Sequence, residues 1–280
     1  NIDKDFGGKP VSVDQALRPF TQYQNIDTGG GQGDKSGHSS YHSLVLKLDR
    51  RFSGGFNFQG SYVLSKILTD ADRYDGGSAA LDNYNRRLEK SIGMFDQTHN
   101  LKFSYVYELP LGRGKKLLSR GVLSSVAGNW RIAGIQFYSS GFPIGLSNSI
   151  NYLVYSGRNA AQITTYDNWI VSHDQPNWNG NDRFFQPASF FGQQSTEKLG
   201  NATRYNPKAR TPWSQVENFS LAKNFQLTED IRLSFRWELF NAFNRSRFST
   251  GATNIESPTF GKITSTVNDP RRMQLGLKLY

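Results

Sequence analysis

The fold is decided by residues 271–280, which read Arg271-Arg272-Met273-Gln274-Leu275-Gly276-Leu277-Lys278-Leu279-Tyr280. Apolar and polar side chains alternate along this stretch, and a period of two indicates a β-strand. Over 272–279 one face is entirely apolar and the other is polar or small, as a membrane barrel requires when lipid lies outside and water inside. A soluble sheet with one wet face would show the same alternation, so this strand alone does not decide. The face predicted to contact lipid and to act as an assembly signal comprises Met273, Leu275, Leu277 and Leu279.

Similar alternation recurs along the chain, in stretches close to the roughly 9–11 residues that cross a bilayer at a tilt. The clearest examples are a hairpin over 40–66, a strand over 100–109 and a second hairpin over 215–240. Weaker patterns at 142–147 and 155–166 bring the predicted total to eight or nine long strands. On the polar faces, the charged residues predicted to line a watery lumen are Lys47, Asp49, Lys102, Glu108, Arg232, Arg236, Glu238 and Lys278.

The apolar faces of the best strands carry no cation except Lys223, which we expect to lie near a membrane interface. An Arg or Lys on the lipid face at mid-bilayer would cost about 2–4 kcal/mol. Composition agrees with a barrel, because only 36% of the residues are hydrophobic while 14% are aromatic. No apolar run approaches the roughly 18 residues of a spanning helix, which argues against a helical membrane protein.

The chain has no cysteine, which fits an oxidising compartment such as the bacterial envelope. Its net charge of +10 raises the question of nucleic acid, but the cations are dispersed and form no zinc finger, basic helix or RNP-like strand. We therefore predict no nucleic-acid partner.

The organisation predicted from these patterns has two parts. Residues 1–39 are expected to be an irregular segment that continues from preceding barrel strands, and residues 40–280 to be barrel strands. Short turns at 53–55 and 228–230 contrast with long loops at 68–95, 148–211 and 244–259. This asymmetry is typical of outer-membrane barrels, which have short periplasmic turns and long extracellular loops.

The loop over 148–211 is rich in aromatic and amide side chains, which either stack on and hydrogen-bond a ligand such as a sugar or pack against each other. The ligand-binding candidates are Tyr152, Tyr155, Trp169 and Trp178. An acidic cluster at Asp70, Asp72 and Asp75 suggests a calcium site but lacks the spacing of an EF-hand, so we predict a solvated loop with no metal and no cofactor.

No enzyme signature is present. The four histidines are dispersed, and no GxSxG, HExxH or supported carboxylate pair appears. His42 and His99 are interpreted as polar residues at strand ends. Two hypotheses compete with a barrel that has no enzymatic activity, namely a hydrolase embedded in a barrel and a soluble carbohydrate-binding β-sandwich. If the chain were a soluble β-sandwich, the protein would be extracted from cells without detergent.

Several motifs together resemble the C-terminal barrel portion of TonB-dependent outer-membrane receptors of Gram-negative bacteria, most closely the Oar-like branch with a carboxypeptidase-regulatory-like domain. The similarity runs from about residue 18 onward. The motifs are Ser40-Tyr41-His42-Ser43-Leu44, Ser61-Tyr62-Val63-Leu64-Ser65-Lys66, Trp130-Arg131-Ile132-Ala133-Gly134-Ile135, Ser140-Gly141-Phe142-Pro143, Arg236-Trp237-Glu238-Leu239-Phe240-Asn241-Ala242-Phe243-Asn244 and Phe260-Gly261.

The resemblance implies an all-β, antiparallel transmembrane barrel of 22 strands, a plug domain and a TonB box that couples to the inner-membrane TonB complex. It also implies assembly into outer-membrane lipid by the barrel-assembly machinery. Since the chain contains neither plug nor TonB box, we expect the rest of the barrel and the plug to come from the same protein or another chain. The alternation further leads us to expect a lipid-facing aromatic residue after Tyr280.

Two functions follow from the resemblance. The first is energised import of a nutrient too large for porins, with the loops contacting the ligand. The second is a structural or adhesive surface barrel that transports nothing.

Overall fold

The computed structural model describes residues 2–6, 9–11, 13–23, 37–71, 80–82, 85–150, 158–171, 183–192 and 195–280. Among these residues, no helix is long and apolar enough to cross a bilayer. The helices are α1 (Val13–Ala16) and α2 (Val122–Ala127), with 3-10 turns at Arg86–Glu89 and Ala188–Phe190. The strands are β1 (Ile2–Phe6), β2 (Lys9–Val11), β3 (Ser39–Ser53), β4 (Phe56–Thr69), β5 (Ser91–Ile92), β6 (His99–Glu108), β7 (Trp130–Ser139), β8 (Pro143–Ile144), β9 (Asn206–Arg210), β10 (Ser214–Gln226), β11 (Arg232–Phe240) and β12 (Arg272–Leu279).

One antiparallel sheet dominates this part of the chain, in the order β12-β11-β10-β7-β6-β4-β3, with β5 pairing to β4. The long strands follow one another as a meander. At one end of the sheet, here called the turn end, β3 joins β4 and β10 joins β11 through tight turns, while 109–129 forms a longer connection. At the opposite end, the loop end, the connections span 70–98, 140–213 and 241–271.

The pairing register sorts side chains onto two faces, because directly paired residues of antiparallel strands share a face. One apolar row crosses six strands through Phe56, Tyr107, Ile132, Leu221, Trp237 and Leu275. The same face, here called the apolar face, carries Met273, Leu277 and Leu279. All eight charged residues predicted to line the lumen lie on the opposite, polar face.

Gly134 lets an aromatic ring lie flat on the apolar face. It pairs directly with Tyr105 across β6 and β7. A Cβ at position 134 would stand 2.7 Å from two atoms of the Tyr105 ring. A larger residue would therefore lift the ring away from the sheet.

Charged residues on the apolar face lie toward the strand ends. The Lys223 ammonium donates to the carbonyls of Ser125, at 2.8 Å, and Val126 at the end of α2. Glu217, near the loop end, accepts a hydrogen bond from Nε of Arg245 at 2.9 Å. Besides Lys223, which the sequence singled out, the register adds three charges to this face, namely Arg50, Lys66 and Glu217.

The buried hydrophobic core lies in the loops rather than in the sheet. We call it the loop core, and its aromatic members make a chain of ring contacts with centroids 5.0–5.7 Å apart. Its fully buried large side chains are Trp169, Phe184, Phe185 and Phe260. The loops at this end thus form a packed layer over the sheet.

The loop core explains why the described residues form seven long strands instead of eight or nine. Where strands were predicted at 142–147 and 155–166, only the short β8 and an isolated bridge at Ala160 form in the described residues. Ile144, Leu146 and Ile163 are buried in the loop core. The period-two spacing of Ile144 with Leu146, and of Ile163 with the buried Ala161, therefore serves a packed loop and not a membrane-facing strand.

The N-terminal segment also differs from the expectation of irregular chain over 1–39. The structure places an antiparallel pair, β1 with β2, and the single turn of α1 within this region.

The two faces of β10 differ sharply in the predicted effect of a new charge. We expect Leu221→Arg to destabilise the folded barrel by about 2–4 kcal/mol, because it places a cation in the apolar row. Ser220→Arg is the matched control, since Ser220 lies on the polar face opposite Glu238. The measurement is the free energy of unfolding in lipid vesicles, or the folded fraction in outer membranes. Equal damage from both variants would contradict the assignment of faces.

Candidate functional site

The candidate site is a cavity of about 640 Å³ at the loop end of the polar face. It lies between the ends of β10, β11 and β12 and the connection 241–271. Strand residues of the polar face form its floor, including Val216, Asn218 and Gln274, while the connection supplies three charged side chains, Arg245, Arg247 and Asp269. Its position above the polar face suits a molecule that enters from the loop end.

A second cavity of about 660 Å³ adjoins the first, and Arg247 lines both. Phe142 and Phe248 add apolar surface, and Lys262 adds a second cation. The remaining wall is rich in hydroxyl groups, which both donate and accept hydrogen bonds. These hydroxyls belong to Thr211, Ser249, Thr250, Thr259, Thr264 and Ser265.

Three asparagines hold the backbone that presents Arg245 and Arg247. Asn241 has a left-handed φ of 47°, and its side-chain oxygen accepts from the Arg245 N–H at 2.9 Å. The Asn268 side chain accepts from the Arg247 N–H at 2.7 Å and donates to the Arg245 carbonyl at 2.7 Å. The third, Asn244, accepts from the Arg271 N–H at 3.0 Å. Short amide side chains tolerate left-handed backbone and replace missing ladder bonds, which explains the Asn-Ala-Phe-Asn sequence at this turn.

The arginines around the first cavity differ in how fully they are paired. Arg245 binds Glu217, and Arg272 pairs with Asp269. Arg247 has a buried Nε that finds no hydrogen-bond partner among the described residues. A buried donor without a partner costs roughly 1–3 kcal/mol, so an acceptor that reached this Nε after a shift of the Arg247 side chain would be bound favourably. Arg247 is therefore the best candidate for direct contact with a ligand.

Buried ion pairs fix the loops that surround the site. Asp96 is fully buried and accepts from Ile67 N–H at 2.7 Å and from Arg210 at 2.6 Å. Arg210 also donates to the Gly141 carbonyl at 3.0 Å. Together these bonds tie the end of β4, the segment after β7 and the strand β9 at one point.

A second buried carboxylate, Glu89, stabilises the loop core. It accepts from the Leu81 N–H at 2.6 Å, pairs with Arg204 and lies 3.6 Å from Arg158 Nε. Sequence reasoning missed both Glu89 and Asp96. Their partners stand 115 and 114 positions further along the chain, and no local pattern marks them.

The sequence-predicted ligand residues are placed as follows. Trp169 has a relative exposure of 1%, stacks on Tyr166 and donates from its indole N–H to the Thr165 carbonyl at 2.7 Å. Its ring thus packs inside the loop core instead of standing open to a ligand. The remaining three candidates, Tyr152, Tyr155 and Trp178, lie outside the described residues, and their role stays a prediction.

Two further predicted features are visible in part. In the acidic cluster, Asp70 pairs with His38 and Arg86, while Asp72 and Asp75 lie outside the described residues. The described residues contain no group of His, Cys, Asp or Glu side chains that could hold a metal ion. His99 stands at the start of β6, stacked on Trp213 and hydrogen-bonded to the Tyr62 hydroxyl at 2.8 Å.

Comparison with known proteins decides the family. A family model described as an outer membrane beta barrel domain matches residues 3–274. The chain belongs to this family. No curated protein and no solved structure matches it.

Membership of this family confirms the predicted fold class, an antiparallel outer-membrane β-barrel, and its location in the bacterial outer membrane. The number of strands and the TonB-dependent branch stay predictions. Barrels of this kind have short periplasmic turns and longer extracellular loops. The turn end of the sheet therefore faces the periplasm, and the candidate site and the loop core lie on the extracellular side.

The loop core should depend on its buried carboxylate. Glu89→Gln is expected to cost about 3–5 kcal/mol locally, because it leaves buried guanidinium groups without their counter-charge. Asp167→Asn is the control, since its pair with Lys208 is exposed and contributes little. Hydrogen exchange over 158–171 and 195–211 should rise in the first variant alone. Unchanged protection in Glu89→Gln would show that the pair does not stabilise the loops.

Proposed function

We propose that the chain forms wall and extracellular ligand-binding loops of a TonB-dependent receptor that imports a nutrient too large for porins. The observation that carries this proposal is a series of cavities along the polar face. They measure about 640 Å³ at the extracellular end, 460 Å³ beside Lys47 and Lys102, and 340 Å³ beside Glu108 and Arg236 near the periplasmic end. Charged and hydroxyl side chains line these cavities, as a path for a polar solute requires.

A closed wall needs strands beyond the seven in the described sheet. Its outer strands, β3 and β12, each pair on one side only. An unpaired strand edge is not viable in lipid, because every backbone polar group there needs a partner. We propose that further strands of the same protein, or a second chain, close the barrel, that a plug occupies its lumen, and that the TonB complex drives transport through that plug.

The chemistry of the two adjoining cavities indicates the class of ligand. Arg247 and Lys262 provide positive charge, while the hydroxyl groups and the rings of Phe142 and Phe248 suit a molecule with both polar and apolar surfaces. We propose an anionic ligand rich in hydrogen-bond acceptors.

Import can be tested without knowing the ligand. Cells with the gene deleted, cells lacking TonB and wild-type cells are grown in one complex medium, and depletion of its components is followed by mass spectrometry. We expect the same component to persist in the first two cultures. If the three cultures deplete the medium identically, and the cells with the gene deleted lose only binding at their surface, a structural or adhesive barrel would be favoured.

Arg247 should matter for uptake and not for folding. We expect Arg247→Gln to weaken ligand capture about tenfold or more, the effect of losing a charge-assisted hydrogen bond of roughly 1.5–3 kcal/mol. Lys208→Gln is the control, because it removes an exposed cation elsewhere on the extracellular side. The measurement is the concentration dependence of uptake for the depleted component, with barrel abundance compared by gel mobility with and without heating. Equal uptake by both variants would exclude Arg247 from the site.

A further inference from the structure

The β6–β7 connection, residues 109–129, differs from the tight turns at the same periplasmic end of the sheet. It contains α2. Two backbone hydrogen bonds stabilise its first part, from the Leu117 N–H to the Pro110 carbonyl and from the Gly112 N–H to the Leu117 carbonyl, each 3.0 Å long. A tight turn would suffice to join two neighbouring antiparallel strands. The extra length of this connection therefore needs an explanation.

The end of α2 is docked on the lipid-facing side of the wall. Lys223 and Trp130 pair with each other across β7 and β10 on the apolar face. Both bind the last turn of α2, Lys223 through the Ser125 and Val126 carbonyls and the Trp130 indole N–H through the Val126 carbonyl at 3.1 Å. A lysine at a helix C-terminus favourably neutralises its free carbonyls. Because its anchors lie on the apolar face, α2 sits against the outside of the barrel and not in the lumen.

The surface that α2 turns away from the protein carries two large apolar side chains beside the exposed Ser125. Val122 is 84% exposed and Val126 is 63% exposed, and residues four apart lie on one side of a helix. Just before the helix, Leu117 and Leu118 are about half exposed. By contrast, Ser124 is buried. This arrangement continues the apolar face of the strands into the connection.

Positive charge flanks the apolar surface. Residues 109–129 contain four cations and no Asp or Glu. Lys115 lies 3.5 Å from Glu108 at the rim of the lumen. Arg113, Lys116 and Arg120 are exposed, and no carboxylate of the described residues pairs with them. Apolar side chains bordered by Arg and Lys are typical of segments that lie in the interface of a membrane with anionic lipids.

From this arrangement we infer that residues 111–127 form an interfacial anchor that inserts its apolar side chains into the periplasmic leaflet and binds anionic phospholipid headgroups. Two observations select lipid over a protein partner. The anchor is continuous with the lipid-facing wall, and its charge is complementary to an anionic leaflet. The inference rests on the outer-membrane location and not on what the protein imports.

The absence of cysteine from these 280 residues makes a site-specific test possible. Val126→Cys in the intact protein is labelled with an environment-sensitive fluorophore, and the protein is placed in nanodiscs of phosphatidylcholine with a fixed fraction of brominated lipid. We expect brominated phosphatidylglycerol to quench the probe at least twofold more than brominated phosphatidylcholine. Val122→Cys provides a second labelling position, and Leu275→Cys in the middle of the apolar face should show quenching without headgroup preference.

Neutralising the cations separates the two parts of the proposal. With Arg113→Gln, Lys116→Gln and Arg120→Gln combined, we expect the probe at position 126 to stay quenched but to lose its preference for the anionic lipid. Equal quenching by both brominated lipids in the protein with its native cations would overturn the headgroup site. Probes at 122 and 126 that neither lipid quenches would overturn the anchor. Shielding of those probes from solvent by a periplasmic protein, and not by lipid, would also overturn it.

Discussion

Everything in this structure depends on one constraint, that a strand in a bilayer must pair all its backbone polar groups and present one side to hydrocarbon. Period-two alternation gives each strand one apolar side. The meander of long antiparallel strands pairs the backbone polar groups of every strand in the described sheet except along the outer edges of β3 and β12. The continuous row from Phe56 to Leu275 shows the result at the level of the sheet. The charges that share this face are found toward strand ends, where Lys223 and Glu217 each have a partner.

Outside the bilayer the chain follows different rules. The loops bury a core of aromatic and aliphatic side chains and pair their carboxylates internally, as a soluble domain does. Asp96 connects the membrane-spanning sheet to the packed loops, because it joins the end of β4 to β9 and to the segment that follows β7. A packed loop layer gives the adjoining cavities fixed walls, and the asparagine-supported turn presents Arg247 between them.

The sequence alone was sufficient for the features that depend on local periodicity. It predicted the terminal strand, the hairpins and the common face of the eight charged residues, because alternation is readable within ten residues. It mispredicted strands at 142–147 and 155–166, since the same spacing also suits residues buried in the loop core. It missed Glu89, Asp96 and their partners, because ion pairs between residues more than a hundred positions apart leave no local pattern. The docking of α2 was also missed, although Lys223 stood out as an exception on the apolar face.

The alternation of faces is tested most directly along β11, in the centre of the row formed by Leu221, Trp237 and Leu275. Each residue from 233 to 239 is replaced by cysteine, one at a time, and treated in outer membranes with a water-soluble, membrane-impermeant maleimide. Reaction at Ser234, Arg236 and Glu238, but not at Leu233, Phe235, Trp237 or Leu239, is the predicted result. Reaction at the odd-numbered positions instead, or with no period of two, would contradict a wall with lipid on one side and water on the other.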